Sequence, residues 1–272
     1  MMALIGPSNG SSNERDEGMI KHEHLGRIGR TQADTGRPER TMSWLAFWNE
    51  PNQIYVSNRH RDAHYDVLFQ RIKPFLTGDG HQVLLDWGCG DALASERLAT
   101  LCRSVLLYDA APTTRARLLN RHRGNDKIEV LDEAGLAALP LGTIDVIVVN
   151  SVIQYLDRDQ LHEVLGKFGP LLSSAGILLL GDVIDPNISM KADILNLLCF
   201  AWQKGFLVAS VLGLMRTFAS RYRRLRRELG FARYSRDEIC KILADHGLAA
   251  DPLSVNIAPS RYRRSYIARK VV

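Results

Sequence analysis

A glycine turn at residues 88–90 constrains this chain more than any other feature of its sequence. The turn, Gly88-Cys89-Gly90, follows an apolar run that ends in Asp86, and a second apolar run over residues 104–108 ends in Asp109. Since glycine has no Cβ, such a turn leaves its backbone open to a flat ligand. An acid at the tip of the neighbouring strand can accept hydrogen bonds from ribose hydroxyls. The pattern predicts a nucleoside-binding site at the carboxyl ends of two parallel strands.

Strand-like and helix-like segments alternate between residues 82 and 182. Apolar segments predict strands near residues 82–87, 104–109, 127–131, 144–150 and 175–182. The helices between them are predicted to begin near Asp91, Pro112, Glu133 and Asp157. Strands that are apolar on both faces are typical of parallel sheets covered by helices on both sides. We therefore expect an α/β fold.

The two ends of the chain depart from this alternation. Residues 1–41 have few large apolar side chains and balanced charges, and we expect a disordered tail there. Residues 42–78 are predicted to be helical, with a break near Pro51. Residues 42–272 are predicted to form one domain.

The last third of the chain is predicted to be mostly helical. One helical stretch is expected from about Ser189 to Glu228, and a further helix at Ser235–His246. Two short strands are expected near residues 252–258 and 263–270. The turn-like sequence between them, residues 258–261, favours an antiparallel hairpin.

Composition limits the class of protein. Hydrophobic residues make up 46% and charged residues 24% of the chain, values typical of a globular domain with a full core. The cysteines, which are Cys89, Cys102, Cys199 and Cys240, form no CxxC pair and lie in apolar segments. This pattern predicts reduced, buried thiols in a cytoplasmic protein without a zinc site. No apolar segment of the secretory type is visible near the N-terminus.

Two classes of ligand compete for the glycine turn. The dinucleotide fingerprint G-x-G-x-x-G would need a third glycine where Leu93 stands. Asp86 and Asp91 would also repel a pyrophosphate, by about 4 kcal/mol for one charge pair at 4 Å and an effective dielectric of 20. S-adenosylmethionine has a ribose and an adenine but no phosphate, and its positive charges are attracted by carboxylates. The charges beside the turn therefore favour S-adenosylmethionine over NAD.

Three segments resemble the class I S-adenosylmethionine-dependent methyltransferases. These are Asp86-x-Gly88-x-Gly90 together with Asp109, residues 144–156, which look like the family's fourth strand, and residues 171–179, which look like the turn into its fifth strand. Ala92 stands where the family often has another glycine. The resemblance covers roughly residues 80–270. It implies a Rossmann-like, doubly wound, seven-stranded sheet, mostly parallel, with a C-terminal antiparallel hairpin.

The resemblance also implies an N-terminal helical cover at residues 42–78 and a helical lid insertion at residues 187–230. It assigns cofactor binding to Asp86, Gly88, Cys89, Gly90, Asp109, Ala110, Asp132, Asn150 and Ser151. In that assignment Asp86 orients the methionine ammonium group and Asp109 holds the ribose hydroxyls. Asp132 or Glu133 would contact the adenine amino group, although a solvated loop is an equal alternative for Asp132.

The segment before the sheet carries the candidate acceptor residues. His60 and His64 are four residues apart and share one face if the segment is helical. Methyl transfer from a sulfonium depends mainly on alignment of the reactants, and a base is needed only if the acceptor must lose a proton. We expect Tyr55, Arg59 and Asp182 to border the acceptor, with His60 or His64 as the base. The alternative is an amphipathic helix with a polar outer face.

No carboxylate cluster accompanies these two histidines, so a metal site is not expected. Asp185, like Asp182, follows the fifth predicted strand and is a further candidate contact for the acceptor. The motif of Asn or Asp followed by Pro-Pro-aromatic, which marks methylases of exocyclic base nitrogens, is absent after the fourth strand, where Asn150-Ser151-Val152-Ile153 stands. A nucleic acid substrate is therefore not expected.

Residues 194–215 hold one charged residue, Lys204, and an arginine-rich segment at residues 216–227 follows. A membrane-spanning helix needs about 20 apolar residues, but Lys204 and neighbouring polar residues interrupt this run. A lid over an apolar or anionic acceptor is the favoured interpretation. Peripheral contact with a membrane through residues 194–227 is the alternative, because basic amphipathic helices lie on anionic lipid.

The sequence thus predicts methyl transfer from S-adenosylmethionine to a small-molecule or lipid-like acceptor by in-line displacement. One alternative is a non-catalytic module that keeps the fold and binds a nucleoside or a partner protein. The other is an NAD-linked oxidoreductase, which the acids at the glycine turn disfavour.

Overall fold

A computed structural model describes residues 44–49, 55–218 and 230–271. Its strands are β1 (Val83–Trp87), β2 (Ser104–Tyr108), β3 (Ile128–Leu131), β4 (Ile144–Asn150), β5 (Leu172–Val183), β6 (Leu248–Pro252) and β7 (Arg264–Lys270). Its helices are α1 (Asn58–Ile72), α2 (Ser95–Ala99), α3 (Pro112–Arg121), α4 (Glu133–Ala137), α5 (Arg158–Leu171), α6 (Met190–Lys204), α7 (Leu207–Phe218) and α8 (Arg236–Ala244). Residues 44–49 are also helical, and short 3₁₀ turns lie at Lys73–Phe75 and Ile153–Tyr155. The predicted tail at residues 1–41 lies outside the described residues.

The strands form one seven-stranded sheet in the order β3-β2-β1-β4-β5-β7-β6. Strands β1 to β5 are parallel, whereas β7 runs antiparallel to both β5 and β6. The chain moves outward from β1 in one direction to β3 and then resumes on the other side of β1 with β4. In open sheets of this kind, ligands bind outside the carboxyl ends of the strands at this reversal of strand order.

Both faces of the sheet are buried, as the apolar strands predict. Neighbouring residues of a strand point to opposite faces. Leu85 and Ile147 belong to one core cluster, whereas Leu84 and Val146 belong to the other. Helix α1 packs on the second face through Ile72 and its neighbours. The α/β fold and the C-terminal antiparallel hairpin are thereby confirmed.

The helix that was expected to begin near Asp91 begins instead at Ser95. Ala92, which is buried, has φ +45, a left-handed conformation that does not continue into a helix. Asp91 therefore lies in a turn before α2, and the prediction that this acid opens the helix is wrong.

The long helical stretch predicted from Ser189 to Glu228 is broken in the structure. Gly205 has φ +72, and the Phe206 N–H donates to the Ala201 carbonyl (2.9 Å), which is the pattern of a glycine helix stop. Helices α6 and α7 are therefore separate, and residues 219–229 of the predicted stretch lie outside the described residues. In the described part of the chain, none of the helices has the length and apolarity that a membrane span requires.

Three smaller predictions are also corrected. The strand expected near residues 252–258 is β6, which pairs with β7 from Leu248 to Pro252, so that residues 253–263 form the connection. Asp182 lies inside β5, which continues to Val183, and not after it. Cys199 is exposed and Cys240 is half-buried, so the prediction that all the thiols are buried is wrong.

Candidate active site

The glycine turn after β1 is held tightly against β2. Gly88 has φ +75 and Gly90 has φ +58, and both values suit glycine. A Cβ at Gly88 would lie 2.4 Å from a methyl carbon of Val152. The N–H groups of Gly88 and Cys89 both donate to the carbonyl of Tyr108, at 2.7 and 3.1 Å. The turn therefore has little freedom to change shape.

The remaining amides of the turn are also occupied. The Gly90 N–H donates to the Asp109 carboxylate (3.0 Å), and the Asp91 N–H donates to the Tyr65 hydroxyl (2.9 Å). A pyrophosphate needs free amides at a helix N-terminus. Here the amides of residues 88–91 are bonded within the protein, and α2 begins only at Ser95. The turn is thus a poor dinucleotide site, in agreement with the charges beside it.

Two carboxyl groups meet beside the turn. Asp86 is only 8% exposed, and burial together with the nearby Asp109 raises its pKa to about 7. Burial also raises the pKa of Asp109, against the opposing effect of the N–H groups of Ala111 and Gly90. A cationic ligand would restore the charge on Asp86, because an opposite charge favours the ionised carboxyl. The pair fits a ligand that brings an ammonium group and a ribose diol, as S-adenosylmethionine does.

Arg115 organises the part of the site that follows β2. Its guanidinium donates to the carbonyls of Asp109 (2.6 Å) and Ala110 (3.1 Å) and to the Glu133 carboxylate (3.2 Å). Asp132, by contrast, is exposed and caps α4, where its carboxylate accepts from Gly135 N–H at 2.8 Å. The structure therefore places Glu133 nearer to the end of β2 and gives Asp132 a local capping contact. No local pattern around Arg115 in the sequence indicates this role.

Two residues with unusual backbone lie at the ends of β4 and β5. Ser151 has φ +59 and Asp182 has φ +64, and the Ser151 hydroxyl donates to the Asp182 carboxylate at 2.7 Å. Non-glycine residues in this region are strained and tend to collect at functional sites. The side-chain amide of Asn150 donates to Ser151 (3.2 Å), while its buried carbonyl oxygen has no protein partner among the described residues. That oxygen is an acceptor at the carboxyl end of β4 that no described protein group uses.

Asp182 is the centre of a buried polar network. Its carboxylate accepts from the Arg263 guanidinium (2.6 Å) and from the Asn256 side chain (3.2 Å). Burial alone would raise the pKa of Asp182, but Arg263, Ser151 and Asn256 hold it below its usual value. Arg263 and Asn256 lie about 80 residues further along the chain, and sequence analysis gave no sign of their role. Asp185 is bonded locally to the N–H of Asn187 (2.9 Å).

The candidate acceptor residues before and on α1 form an aromatic cluster. The ring centroid of Tyr55 lies 5.3 Å from that of His60 and 5.5 Å from that of His64. His60 also stacks on Phe206 at 4.8 Å. Burial lowers the pKa of both histidines to about 4, and the Asp182 carboxylate acts against this shift at His64. Both imidazoles are therefore neutral at physiological pH.

The helical segment at residues 44–49 contacts the segments that follow both neighbours of β1. In the helical residues 44–49, Asn49 bonds Thr113 at the start of α3 (3.0 and 2.8 Å), next to the end of β2. Trp48 packs on Tyr155, beyond the end of β4 (5.4 Å between ring centroids). Arg59, on α1, is exposed and lies against Gly205, where a Cβ would be 3.1 Å from its guanidinium. Arg59 is thus placed beside the break between α6 and α7.

Comparison with known proteins finds methyltransferases that are similar to this chain. The family model of a methyltransferase domain matches residues 85–178. A Mycobacterium tuberculosis protein named as a probable S-adenosylmethionine-dependent methyltransferase is 32% identical over 120 residues, which are 43% of this chain and 38% of that protein. An uncharacterised methyltransferase of Mycobacterium bovis is 29% identical over 128 residues, 47% of this chain and 61% of that protein. The chain thus spans about two fifths to three fifths of the length of these relatives.

Solved structures share the fold at low sequence identity. An S-adenosylmethionine-dependent methyltransferase of Leishmania major superposes with a TM-score of 0.55 at 14% identity, over 85% of this chain and 83% of that one. The N-methyltransferase NodS of Bradyrhizobium japonicum, solved with S-adenosyl-L-homocysteine, superposes with a TM-score of 0.50 at 18% identity, over 84% and 96%. These likenesses concern the fold alone. Together with the sequence matches, which cover less than half of the chain, they support a class I S-adenosylmethionine-dependent methyltransferase domain that includes residues 85–178.

Proposed function

We propose that this protein transfers a methyl group from S-adenosylmethionine to a small-molecule acceptor. The observation that carries the proposal is the closed glycine turn with Asp86 and Asp109 beside it. This arrangement leaves no amide of residues 88–91 free for a phosphate, and it offers carboxyl groups to a cation and a diol. When bound, S-adenosylmethionine supplies an electrophilic methyl group.

Different residues around the turn would bind different groups of the cofactor. Asp86 would accept from the ammonium group, and Asp109 would accept from the ribose hydroxyls while it continues to hold the Gly90 N–H. Cys89 would line the cofactor with its backbone. Asn150 and Ser151, at the end of the adjacent strand β4, would border the acceptor. Alignment of two reactants at this reversal of strand order would supply much of the rate.

We propose His64, and not His60, as the base when the acceptor must lose a proton. The Nδ1 atom of His60 accepts from the Val56 N–H (3.4 Å), and its ring is stacked on Phe206. His64 feels the ionised Asp182 carboxylate, which would stabilise the imidazolium that forms when His64 takes a proton. Tyr55 and Asp182 would then border the acceptor, whereas Arg59 would act from the edge at Gly205.

We propose that α6 and α7 act as the lid. Phe200, Ala201 and Phe206 are buried in a small cluster against Val56 and α1. This cluster supports a lid that closes on the side of the site where His60 lies. Its apolar lining favours a small aromatic or lipid-like acceptor.

The opposite face of the lid is unusually apolar. Trp202 and Val208 are each 75% exposed, and Leu195, Val211 and Leu212 are also exposed. No acid occurs between residues 194 and 218, and arginines are frequent in the sequence from 216 to 227. We propose that this face touches anionic lipid, since apolar anchors and cationic residues together favour such surfaces. A cytoplasmic protein with peripheral membrane contact is the arrangement favoured by this face.

Vesicle sedimentation tests the lipid contact. Trp202→Ser and Val208→Ser should each reduce binding to phosphatidylglycerol vesicles, whereas Leu141→Ser, at a residue 73% exposed outside the lid, should not. Equal binding by wild type and lid variants, or absence of binding, would contradict the proposal.

Transfer of labelled methyl groups tests the main proposal. Full-length protein and methyl-labelled S-adenosylmethionine would be incubated with phenols, amines, thiols and a lipid extract. We expect label in at least one acceptor class. His64→Ala should lower turnover on a hydroxyl acceptor by about 100-fold, with S-adenosylhomocysteine binding retained, and the exposed His81→Ala should serve as the control.

Wild-type turnover by His64→Ala would contradict the role as base. Binding of S-adenosylhomocysteine without transfer to any acceptor would favour the non-catalytic module instead. Binding of NAD instead of S-adenosylhomocysteine would favour the NAD-linked oxidoreductase.

A further inference from the structure

One residue of α1 contacts the glycine turn directly. The Tyr65 hydroxyl donates to the Cys89 carbonyl (3.3 Å) and accepts from the Asp91 N–H (2.9 Å). These two groups flank Gly90, so a single side chain bonds the turn on both sides of that glycine. The other anchors of the turn come from β2 and its end, through Tyr108 and Asp109. Tyr65 thus supplies a contact from a helix that packs outside the sheet.

Tyr65 also limits what can stand at position 90. A Cβ there would lie 3.3 Å from the Tyr65 hydroxyl, and the φ of +58 already favours glycine. Tyr65 is 7% exposed and is packed in the core cluster beneath α1. Its ring is therefore fixed, and the turn must fit around its hydroxyl.

The contact continues toward the acceptor residues. The Tyr65 ring lies against those of Tyr55 and His64, with centroids 6.2 and 5.4 Å apart. The Tyr55 ring in turn lies against His60 and His64. A continuous set of contacts therefore joins the imidazoles to the turn that would hold the cofactor. Such a contact set can couple two sites when one element docks on both.

We infer that Tyr65 is a positioning residue that couples docking of α1 to the shape of the cofactor turn. Its hydroxyl holds the Cys89–Asp91 backbone in the geometry that binds the cofactor, and cofactor binding in turn stabilises α1 on the sheet, as reciprocity of coupling requires. The second half of this inference rests on the proposed function. The first half concerns the ligand-free protein and does not depend on it.

Tyr65→Phe removes the hydroxyl and leaves the ring. In the ligand-free protein we expect hydrogen exchange at the Asp91 amide to become at least about tenfold faster, because the amide loses its acceptor. Affinity for S-adenosylhomocysteine should fall by about tenfold. In wild type the ligand should slow exchange along α1, and in Tyr65→Phe this slowing should be lost.

Tyr234→Phe is the matched control. Tyr234 is also buried, and its hydroxyl also donates to a backbone carbonyl, that of Leu156, at 3.3 Å. This variant should lose about as much stability as Tyr65→Phe. It should keep the wild-type rate of hydrogen exchange at the Asp91 amide and the wild-type ligand affinity. Tyr55→Leu, which removes the ring that packs on Tyr65 and leaves the Tyr65 hydroxyl in place, should weaken affinity by a smaller factor in the same direction, and it keeps the test available if Tyr65→Phe folds poorly.

Unchanged exchange at Asp91 in Tyr65→Phe, or equal ligand affinity in Tyr65→Phe and Tyr234→Phe, would overturn the inference. Failure of the wild-type protein to bind S-adenosylhomocysteine would instead overturn the proposed function, and the exchange rate of the Asp91 amide would still test the role of Tyr65.

Discussion

At the scale of single residues, Gly88 shows how the turn depends on the absence of a side chain. Its φ is +75, and a Cβ would stand 2.4 Å from Val152, which follows β4. Gly78 has nearly the same φ, +72, but has no atom within 4 Å of a Cβ. The two positions therefore separate backbone strain from steric overlap.

Alanine substitutions at these two glycines should differ in cost. Gly78→Ala should lower the free energy of unfolding by about 1 kcal/mol, from backbone strain alone. Gly88→Ala should lower it by about 1 to 3 kcal/mol more, because the core at Val152 is overpacked. Urea unfolding measures both, and equal losses would show that the turn is free to move away from Val152.

The histidines of α1 predict a dependence of stability on pH. Burial lowers the pKa of His60 and His64 to about 4 in the folded protein, against about 6.5 in the unfolded chain. The unfolded chain therefore binds more protons between these values, so the stability contribution is complete above pH 6.5 and is lost as pH falls toward 4. Asp86, whose pKa is raised to about 7, acts in the opposite direction over this window, so the test is the difference between variants. As pH falls, the unfolding midpoint in urea should drop more steeply in wild type than in His64→Gln. Parallel declines would contradict the burial of His64 as a neutral ring.

At the scale of elements, the Asp182–Arg263 pair joins β5 to the connection before β7. Both side chains are largely buried, and their closest atoms are 2.6 Å apart. A buried charge that loses its partner is costly, whereas removal of both charges costs less.

Arg263→Met should therefore lower the free energy of unfolding by about 3 to 5 kcal/mol. The double variant Asp182→Asn with Arg263→Met should be more stable than Arg263→Met alone. Equilibrium unfolding of the single and double variants measures the coupling energy. A double variant whose loss equals the sum of the two single losses would mean that the pair is not coupled.

The N-cap of α1 gives a second prediction for an element. The Ser57 hydroxyl accepts from the His60 N–H (3.1 Å), and the Ser235 hydroxyl accepts from the Glu238 N–H at the start of α8 (3.2 Å). Each Ser→Ala change should cost about 1 kcal/mol. Ser57→Ala should also reduce methyl transfer, because it loosens the first turn of α1, whose His60 ring packs on Phe206 of the proposed lid, and Ser235→Ala should leave transfer unchanged. Equal transfer in both variants would contradict a role for the first turn of α1.

At the scale of the whole molecule, the sequence allowed prediction of the parallel strands and of the residues at their ends. Those signals are local: β4 is apolar throughout, and Asp86, Gly88 and Asp109 lie at fixed distances from strand ends. The break at Gly205 was not predicted, because both flanking segments are apolar and helical in character.

The long-range contacts of the site could not be predicted from local patterns. Tyr65 reaches Asp91 from 26 residues away, and Arg263 reaches Asp182 from 81 residues away. The strand β6 was misplaced because its position depends on pairing with β7 rather than on its own sequence, Leu248–Pro252, which is short and partly polar. Side chains such as those of Tyr65 and Arg263 acquire their roles only when distant elements pack together.

Calorimetric titration of the full chain with S-adenosylhomocysteine tests the central claim most directly. We expect one-to-one binding by wild type, binding about tenfold weaker in Asp109→Asn because a charge-assisted contact is lost, and unchanged binding in Asp126→Asn, an exposed acid outside the site. Absence of binding by wild type, or tight binding of NAD under the same conditions, would contradict the assignment of the glycine turn to S-adenosylmethionine.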